Sequence, residues 1–141
     1  VTYASSTDVV LESRYVRNKA EITELIQELT AGGYTAGSKG IRKAFQVARD
    51  NLIKDGNNQV IIATDGAFNL SGGDKGILSN VEANLKRGVR ISVVGVKNEK
   101  WTVKSMKAIA ETGEGNYIHI ESYAQAKPLL MNEIKTMSRK P

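Results

Sequence analysis

The chain has 141 residues, which is enough for one domain with a substantial hydrophobic core. It contains no cysteine, which excludes disulfides, thiolate metal sites and cysteine nucleophiles, and no apolar run approaches the roughly 20 residues that cross a bilayer. The net charge of +5 is scattered along the predicted helices without interleaved aromatic residues, so we expect neither nucleic-acid binding nor direct membrane insertion.

The N-terminal part of the chain is predicted to form a β-hairpin and two helices. Val1–Ser5 and Val9–Leu11 have the composition of short strands, and a connection this short permits only an antiparallel pair. Asn18 is a candidate N-cap for the first helix, and Ser38 for the second, which Gly56 is expected to end. Each helix has an apolar face, formed by Ile22, Leu25, Ile26 and Leu29 in the first and by Ile41, Ala44, Phe45, Ala48, Leu52 and Ile53 in the second.

From residue 59 onward, strands and helices alternate regularly. Strands are predicted at Gln59–Thr64, Arg90–Val96 and Asn116–Ile120, each followed by an amphipathic helix, of which the second is expected to be capped by Thr102. This alternation indicates a parallel sheet with helices on both faces. We therefore predict a single doubly wound α/β domain over residues 1–141, with one antiparallel strand at the edge of its sheet.

The most informative segment is the apolar run Val60–Ala63, which is followed by Thr64, Asp65 and Gly66. Four consecutive apolar residues indicate a strand that is buried on both faces. Ligands bind at the carboxyl ends of such strands, so Asp65 is a candidate metal or ligand contact. An ordinary Asp-Gly turn is the alternative explanation.

A second glycine-rich segment lies ahead of the second helix. Gly32 and Gly37 have the spacing of a phosphate loop, but Ser38 and Lys39 stand in the wrong order and the segment follows a helix instead of a strand. We therefore predict no NTPase activity. Thr35 can present its hydroxyl to the ligand shell of a bound ion, or it can cap the helix.

Taken together, these segments resemble the von Willebrand factor type A domain, in particular a bacterial subgroup of it. The resemblance rests on Thr30–Gly33 with Thr35–Gly37, on Asn57 and Asn58, on Thr64–Gly66 with Phe68 and Asn69, and on Gly113–Tyr117. It implies a Rossmann-like fold and a non-enzymatic protein-binding or adhesion function.

The resemblance also implies a metal-ion-dependent adhesion site. Thr35 and Asp65 match two of its ligands, the expected ion is Mg²⁺ (with Mn²⁺ or Ca²⁺ as substitutes), and the partner is a protein that offers an acidic residue. The expected rim of the site consists of Gly33, Tyr34, Gly66, Phe68 and Asn69. Members of the bacterial subgroup are often secreted or membrane-attached, so we expect an extracytoplasmic or membrane-attached parent protein.

The sequence departs from the family pattern because it contains no Asp-x-Ser-x-Ser motif, which in the family follows the first, central strand. That strand would lie between the strands at Val1 and Gln59. We therefore expect a partial domain that binds Mg²⁺ weakly or not at all. We also expect two unpaired strand edges, which either close against each other or exchange strands with a second copy.

Two other functions fit the sequence less well. One is an α/β enzyme or nucleotide-binding domain that uses Asp65, although no nucleophile–base pair accompanies it. The other is a scaffold in which the metal site has no role. His119, the only histidine, is expected to be structural, and Trp101 either docks a partner or covers the edge of the sheet.

Overall fold

The computed structural model describes residues 1–4, 6–15, 18–29, 37–66, 68–70, 72, 75–97 and 100–137. Two short strands, β1 (Thr2–Tyr3) and β2 (Thr7–Asp8), precede helices α1 (Lys19–Gln27) and α2 (Gly37–Asp50). The elements that follow are β3 (Asn58–Thr64), α3 (Ile77–Leu85), β4 (Val89–Val96), α4 (Lys100–Thr112), β5 (Glu114–Ile120) and α5 (Tyr123–Met137).

The main sheet has the order β3-β4-β5, and both strand pairs are parallel, as predicted. Pairing of β3 with β4 runs without a break from Asn58↔Val89 to Thr64↔Gly95. Between β4 and β5 the register shifts near Ile91, where Gly115 approaches so closely that a Cβ atom on it would lie 2.0 Å from the Ile91 carbonyl oxygen. Because all three strands are parallel, their carboxyl ends lie at the same end of the sheet, which we call the carboxyl edge.

The hydrophobic core lies on one face of this sheet, beneath α2, α3 and α4. Alternate residues of each strand point to this face, while their neighbours point to the other. Thus Ile91 lies in the core, whereas Ser92 faces α5 on the opposite side. The core side chains are Ile41 and Phe45 of α2, Ile77 and Val81 of α3, Met106, Ile109 and Ala110 of α4, and Val60, Ile62, Val89, Ile91 and Val93 of the strands, with Phe68 from the loop after β3.

The face beneath α5 holds a buried polar cluster. Glu133 is 4% exposed, and its carboxylate accepts hydrogen bonds from Gln59 Nε2 (3.1 Å), Asn116 Nδ2 (2.7 Å) and the Ser92 hydroxyl. Ser92 Oγ in turn accepts from Gln59 Nε2 and from the Asn116 backbone N–H. The cluster therefore joins all three strands of the sheet to the last helix.

The hairpin differs from the sequence prediction. β2 is Thr7–Asp8 and not Val9–Leu11, because the chain turns earlier: the Ala4 backbone N–H donates to the Ser6 carbonyl at 2.8 Å. The antiparallel pair also forms a two-stranded sheet of its own and is not hydrogen-bonded to the main sheet through its backbone in the part of the chain that the structure describes.

Two helix starts and one helix end also differ from the prediction. Ser38 and Thr102 lie inside α2 and α4 and do not cap them; the Ser38 hydroxyl accepts a hydrogen bond from Arg42. α2 ends at Asp50, so Leu52 and Ile53 are 43% and 63% exposed. The cause is the Asn58 side chain, which bonds the backbone N–H and C=O of Ile53 and so folds the chain into a loop before β3.

Helix α1 begins as predicted, with Asn18 Oδ1 accepting from the Ala20 backbone N–H at 3.0 Å. Its apolar face, however, is uncovered. No residue of α1 is buried, and Ile26 and Leu29 are 61% and 46% exposed. None of the helices, over the residues that can be described, is both long and apolar enough to cross a membrane.

Candidate functional site

Asp65 lies at the carboxyl edge, immediately after β3, with its side chain exposed. The preceding residue fixes the turn: the Gly66 backbone N–H donates to Thr64 Oγ1 at 3.1 Å, and Thr64 itself is buried. The Asp65 carboxylate is therefore held at the end of β3, an outer strand of the three-stranded sheet, and is exposed to solvent. Such a position is typical of ligand contacts in open α/β sheets.

Thr35, Tyr34 and Gly33 lie outside the described residues, so their distances to Asp65 stay a prediction. The described residues on either side of the two segments do meet. A Cβ atom on Gly37, the first residue of α2, would lie 2.4 Å from Phe68 Cε1, which means that the Phe68 ring lies directly against the helix start. The loop that follows Asp65 is thus packed against the start of α2 at Gly37. In the sequence, Gly37 lies two residues after Thr35.

Phe68 was expected at the rim of the site, and its position differs from that expectation. It is only 4% exposed and belongs to the hydrophobic core, because the absence of a side chain at Gly37 leaves room for its ring. Direct contact between this ring and a partner does not fit such burial. Asn69 is exposed and Gly66 is half-buried, so both remain accessible at the rim.

Ser105 of α4 also positions this loop, and no sequence pattern indicated this role. Its Oγ accepts a hydrogen bond from the Phe68 backbone N–H at 3.3 Å and donates to the Thr102 carbonyl at 3.0 Å. The loop after Asp65 is therefore held on one side by the start of α2 and on the other by α4.

The described residues do not by themselves fit a resident Mg²⁺ ion. This ion requires about six oxygen ligands in octahedral geometry. Across the described ranges, no three His, Asp or Glu side chains come together in a way that could hold a metal ion. In the described part of the segment between β3 and α3 the only carboxylate is that of Asp65, and the Thr64 hydroxyl next to it is already bonded within the turn.

A groove separates the hairpin from β3. Its volume is about 530 Å³, and it lies between the hairpin side of the molecule, the outer edge of β3 and the adjacent face of α2. The lining residues are Val1, Tyr3, Ser13, Gly40, Ala44, Val47, Ala48, Asn51 and residues 57–63. Ile61 is 39% exposed although it lies in the middle of an apolar strand, because neither α5 nor another strand covers it in the described structure.

Tyr3 crosses this groove at its carboxyl end. Its ring packs on Gly40 of α2, where a Cβ atom would lie 2.6 Å from Tyr3 Cγ, and its hydroxyl donates to the Ala63 carbonyl at 3.1 Å. Burial raises the pKa of Tyr3, the Asp65 charge also raises it, and a hydrogen bond with Thr64 opposes both. The expectation that β1 and β3 close against each other is therefore wrong: a side chain joins them, and their backbones stay apart.

A second group of polar side chains lies on β5 and directly after it, at the other edge of the sheet. The Tyr117 hydroxyl is 3.2 Å from His119 Nδ1, and His119 Nε2 is 3.6 Å from Glu121 Oε1. Burial raises the pKa of Tyr117, so this phenol stays protonated at neutral pH and is not an activated nucleophile. The group gives no support to an enzymatic function.

Comparison with known proteins shows relatives over nearly the whole chain. Uncharacterized protein YfbK of Escherichia coli (strain K12) is 38% identical over 138 residues, which is 97% of this chain and 24% of that protein. Uncharacterized protein sll0103 of Synechocystis sp. is 27% identical over 127 residues, which is 89% of this chain and 29% of that protein. The chain thus spans about a quarter of the length of the curated relatives that it matches.

Solved structures show the same fold at low sequence identity. The conserved hypothetical protein BatB from Bacteroides thetaiotaomicron has a TM-score of 0.64 at 15% identity, covering 86% of this chain and 70% of that one. An aerotolerance-related membrane protein from Bacteroides fragilis gives 0.64 at 16% identity, with 85% and 70% covered. The family description of the von Willebrand factor type A domain matches residues 1–133. The chain therefore belongs to the von Willebrand factor type A family.

Proposed function

We propose that this chain forms the greater part of a non-enzymatic protein-binding domain whose partner docks at the carboxyl edge. Domains of this family are in general protein-interaction modules. The observation that carries the proposal is the position of Asp65, an exposed carboxylate held at the end of β3 by the Thr64–Gly66 turn. An α/β enzyme that uses Asp65 is the alternative, and it would need an activated base or nucleophile beside this carboxylate.

In the complete site, Asp65 and Thr35 would each supply one oxygen ligand to Mg²⁺. The ion would supply positive charge for a carboxylate of the partner protein, which is an adhesive and not a hydrolytic role. The remaining carboxylate and hydroxyls would come from an Asp-x-Ser-x-Ser segment, a motif that this sequence does not contain. Gly33, Tyr34, Gly66 and Asn69 would form the rim, while Phe68 would support the loop from below.

We further propose that the groove beside β3 receives one additional strand. In a parallel strand, alternate residues direct their backbone N–H and C=O groups to the same side. The Ala63 carbonyl points into the groove toward Tyr3, so Gln59 and Ile61 direct their backbone groups there too. An incoming strand of the same polypeptide, or of a second copy in a strand-exchanged oligomer, would pair with these groups.

The metal site is tested by metal titration of the longer parent protein. Calorimetry with Mg²⁺ and electron paramagnetic resonance with Mn²⁺ should show binding that Asp65→Asn and Thr35→Ala each weaken at least tenfold. Asp50→Asn, which changes an exposed carboxylate at the end of α2, is the matched control and should change nothing. Equal affinity in the Asp65 variant and the wild type would rule out this site.

Oligomeric state and location test the other parts of the proposal. Light scattering of the 141-residue chain over a wide concentration range distinguishes a strand-exchanged oligomer from a monomer with an open groove. An extracytoplasmic or membrane-attached parent protein is proposed from the family resemblance, and cell fractionation of that protein checks it. If the purified parent protein binds its partner equally well with and without the Asp65 substitution, the scaffold alternative replaces the adhesion site.

A further inference from the structure

A basic and aromatic surface lies along the first half of α4. It consists of Lys97, Lys100, Trp101, Lys104 and Lys107, and we call it the α4 basic surface. All four lysines are exposed, and Trp101, the only tryptophan of the chain, is 69% exposed. Trp101 thus does not cover the edge of the sheet, which was one of the two expectations for it.

Helical spacing places the lysines on one stripe. Residues 100, 104 and 107 are separated by four and three positions, which aligns them on the outer face of the helix, while Met106 and Ile109 on the opposite face are fully buried. Like charges at this spacing repel each other. Lys100 also lies in the first turn, which contains no acidic residue and where the helix dipole disfavours positive charge. The stability of α4 therefore does not explain this arrangement.

The positive charge of this surface is not neutralised by its described neighbours. None of the four lysines takes part in an ion pair among the residues that the structure describes. Positions 97–107 contain one acidic residue, Glu99, against the four lysines, which leaves a net charge of +3. Lys97 and Lys107 instead lie 6.0 Å from the ring centres of Tyr123 and Tyr117, and Tyr123 is itself 92% exposed.

The α4 basic surface adjoins the loop that carries Asp65. Ser105, on the same helix, accepts the hydrogen bond from the Phe68 backbone N–H, so α4 and this loop are in direct contact. A protein that approaches the carboxyl edge would therefore meet both features. By helical spacing, Trp101 lies on the face of α4 between Ser105 and the lysine stripe. It is a large exposed apolar side chain, the kind of residue that dominates binding energy in protein interfaces.

We infer that the α4 basic surface is a docking site for an acidic surface of a partner protein. Trp101 acts as the apolar anchor, and the lysines attract and orient the carboxylates of the partner. A rigid helix face with one large aromatic residue suits a folded protein better than single-stranded nucleic acid, which requires several aromatic rings in series. The inference extends the proposed function and differs from it in needing no cation.

The experiment measures binding of a fluorescein-labelled peptide rich in Asp and Glu, by anisotropy, in the presence of EDTA. A Lys100→Glu, Lys104→Glu, Lys107→Glu triple variant should bind at least about tenfold more weakly, because three exposed charge pairs become repulsive. The matched control replaces three other exposed lysines, Lys39, Lys54 and Lys86, by glutamate and thus changes the net charge by the same amount. This control should stay within about twofold of the wild type. Circular dichroism establishes that all variants remain folded.

Trp101 provides a second readout. In the unmodified chain its emission should shift to shorter wavelength as the peptide binds, and Trp101→Ala should weaken the anisotropy signal several-fold. Equal losses in the two triple variants, or an unchanged emission of Trp101, would overturn the inference in favour of unspecific charge attraction. Binding to phosphatidylglycerol vesicles that depends on these lysines, with no binding of the peptide, would overturn it in favour of a membrane surface.

The two proposals can fail separately. The Asp65→Asn variant should bind the peptide in EDTA as the wild type does, because the α4 basic surface requires no metal ion. Loss of peptide binding in this variant, with normal binding in the lysine variant, would overturn the inference and leave the proposed site at Asp65 intact.

Discussion

The buried cluster around Glu133 allows a quantitative prediction. Replacing Glu133, which is 4% exposed, by alanine removes the acceptor for three donors, the side chains of Gln59, Ser92 and Asn116. We expect this substitution to lower the free energy of unfolding by about 3 to 5 kcal/mol, because three hydrogen bonds to a charged group, at about 1.5–3 kcal/mol each, are lost.

The magnitude follows from the geometry of the cluster. A hydrogen bond to a charged group contributes about 1.5–3 kcal/mol, and an orphaned buried donor costs about 1–3 kcal/mol. The expected loss is smaller than the sum of these contributions for two reasons. Burying the carboxylate without a cation partner is itself unfavourable, and Ser92 Oγ keeps its hydrogen bonds with Gln59 and Asn116. Glu133→Gln keeps an acceptor oxygen for two of the donors but presents an NH₂ group to Asn116 Nδ2, so we expect a smaller loss of about 1–2 kcal/mol.

Urea denaturation followed by circular dichroism measures both values. Glu111→Ala, at an exposed position of α4, is the matched control and should change the free energy of unfolding by less than about 0.5 kcal/mol. A loss below about 1 kcal/mol for Glu133→Ala, with an unchanged m-value, would refute the view that this cluster fastens α5 to the sheet.

The remaining predictions concern Tyr3, two glycines and the metal ion. Tyr3→Phe removes the hydrogen bond to the Ala63 carbonyl and should cost about 1 kcal/mol at neutral pH. Burial raises the pKa of Tyr3 above 10.0, so the neutral phenol stabilises the fold below pH 10, and this stabilisation is lost as the pH rises further. Urea denaturation between about pH 9 and 11 should therefore show a smaller decline of the free energy of unfolding in Tyr3→Phe than in the wild type. Gly115→Ala would place a Cβ atom 2.0 Å from the Ile91 carbonyl oxygen and should prevent native folding. Gly88→Ala has free space around its Cβ atom and suffers only from the positive φ of 84°, so it should lower the free energy of unfolding by about 1 kcal/mol in the same measurement. Calorimetry on the 141-residue chain should detect no Mg²⁺ binding at micromolar concentration; clear binding there would contradict the partial site.

The parallel sheet could be predicted from the sequence because strands alternate regularly with amphipathic helices from residue 59 onward. The expectation that Val60–Ala63 is buried on both faces is wrong, because β3 is an outer strand of the sheet and its residues Ile61 and Ala63 are exposed. The ends of the helices were harder to predict. Ser and Thr are favoured as caps, but their hydroxyls are equally satisfied inside a helix, as Ser38 is by Arg42.

The position of Asp65 was accessible to sequence reasoning because it depends only on where a strand ends. The roles of Phe68 and Tyr3 were not, because each depends on a glycine distant in the sequence. Phe68 is buried because Gly37 leaves room for its ring, and Tyr3 reaches the Ala63 carbonyl because Gly40 leaves room for its side chain against α2. Local patterns carry no information about such contacts between remote positions.

The uncovered face of α1 has a consequence for the dynamics of the domain. A helix of nine residues is too short to be stable in water on its own, and α1 has no buried residue that ties it to the core. Its amide protons should therefore exchange with deuterium far faster than those of β4, whose residues Ile91–Gly95 are all buried. Slow exchange at Ile22 and Ile26 in the parent protein would then reveal that another part of that protein rests on this helix.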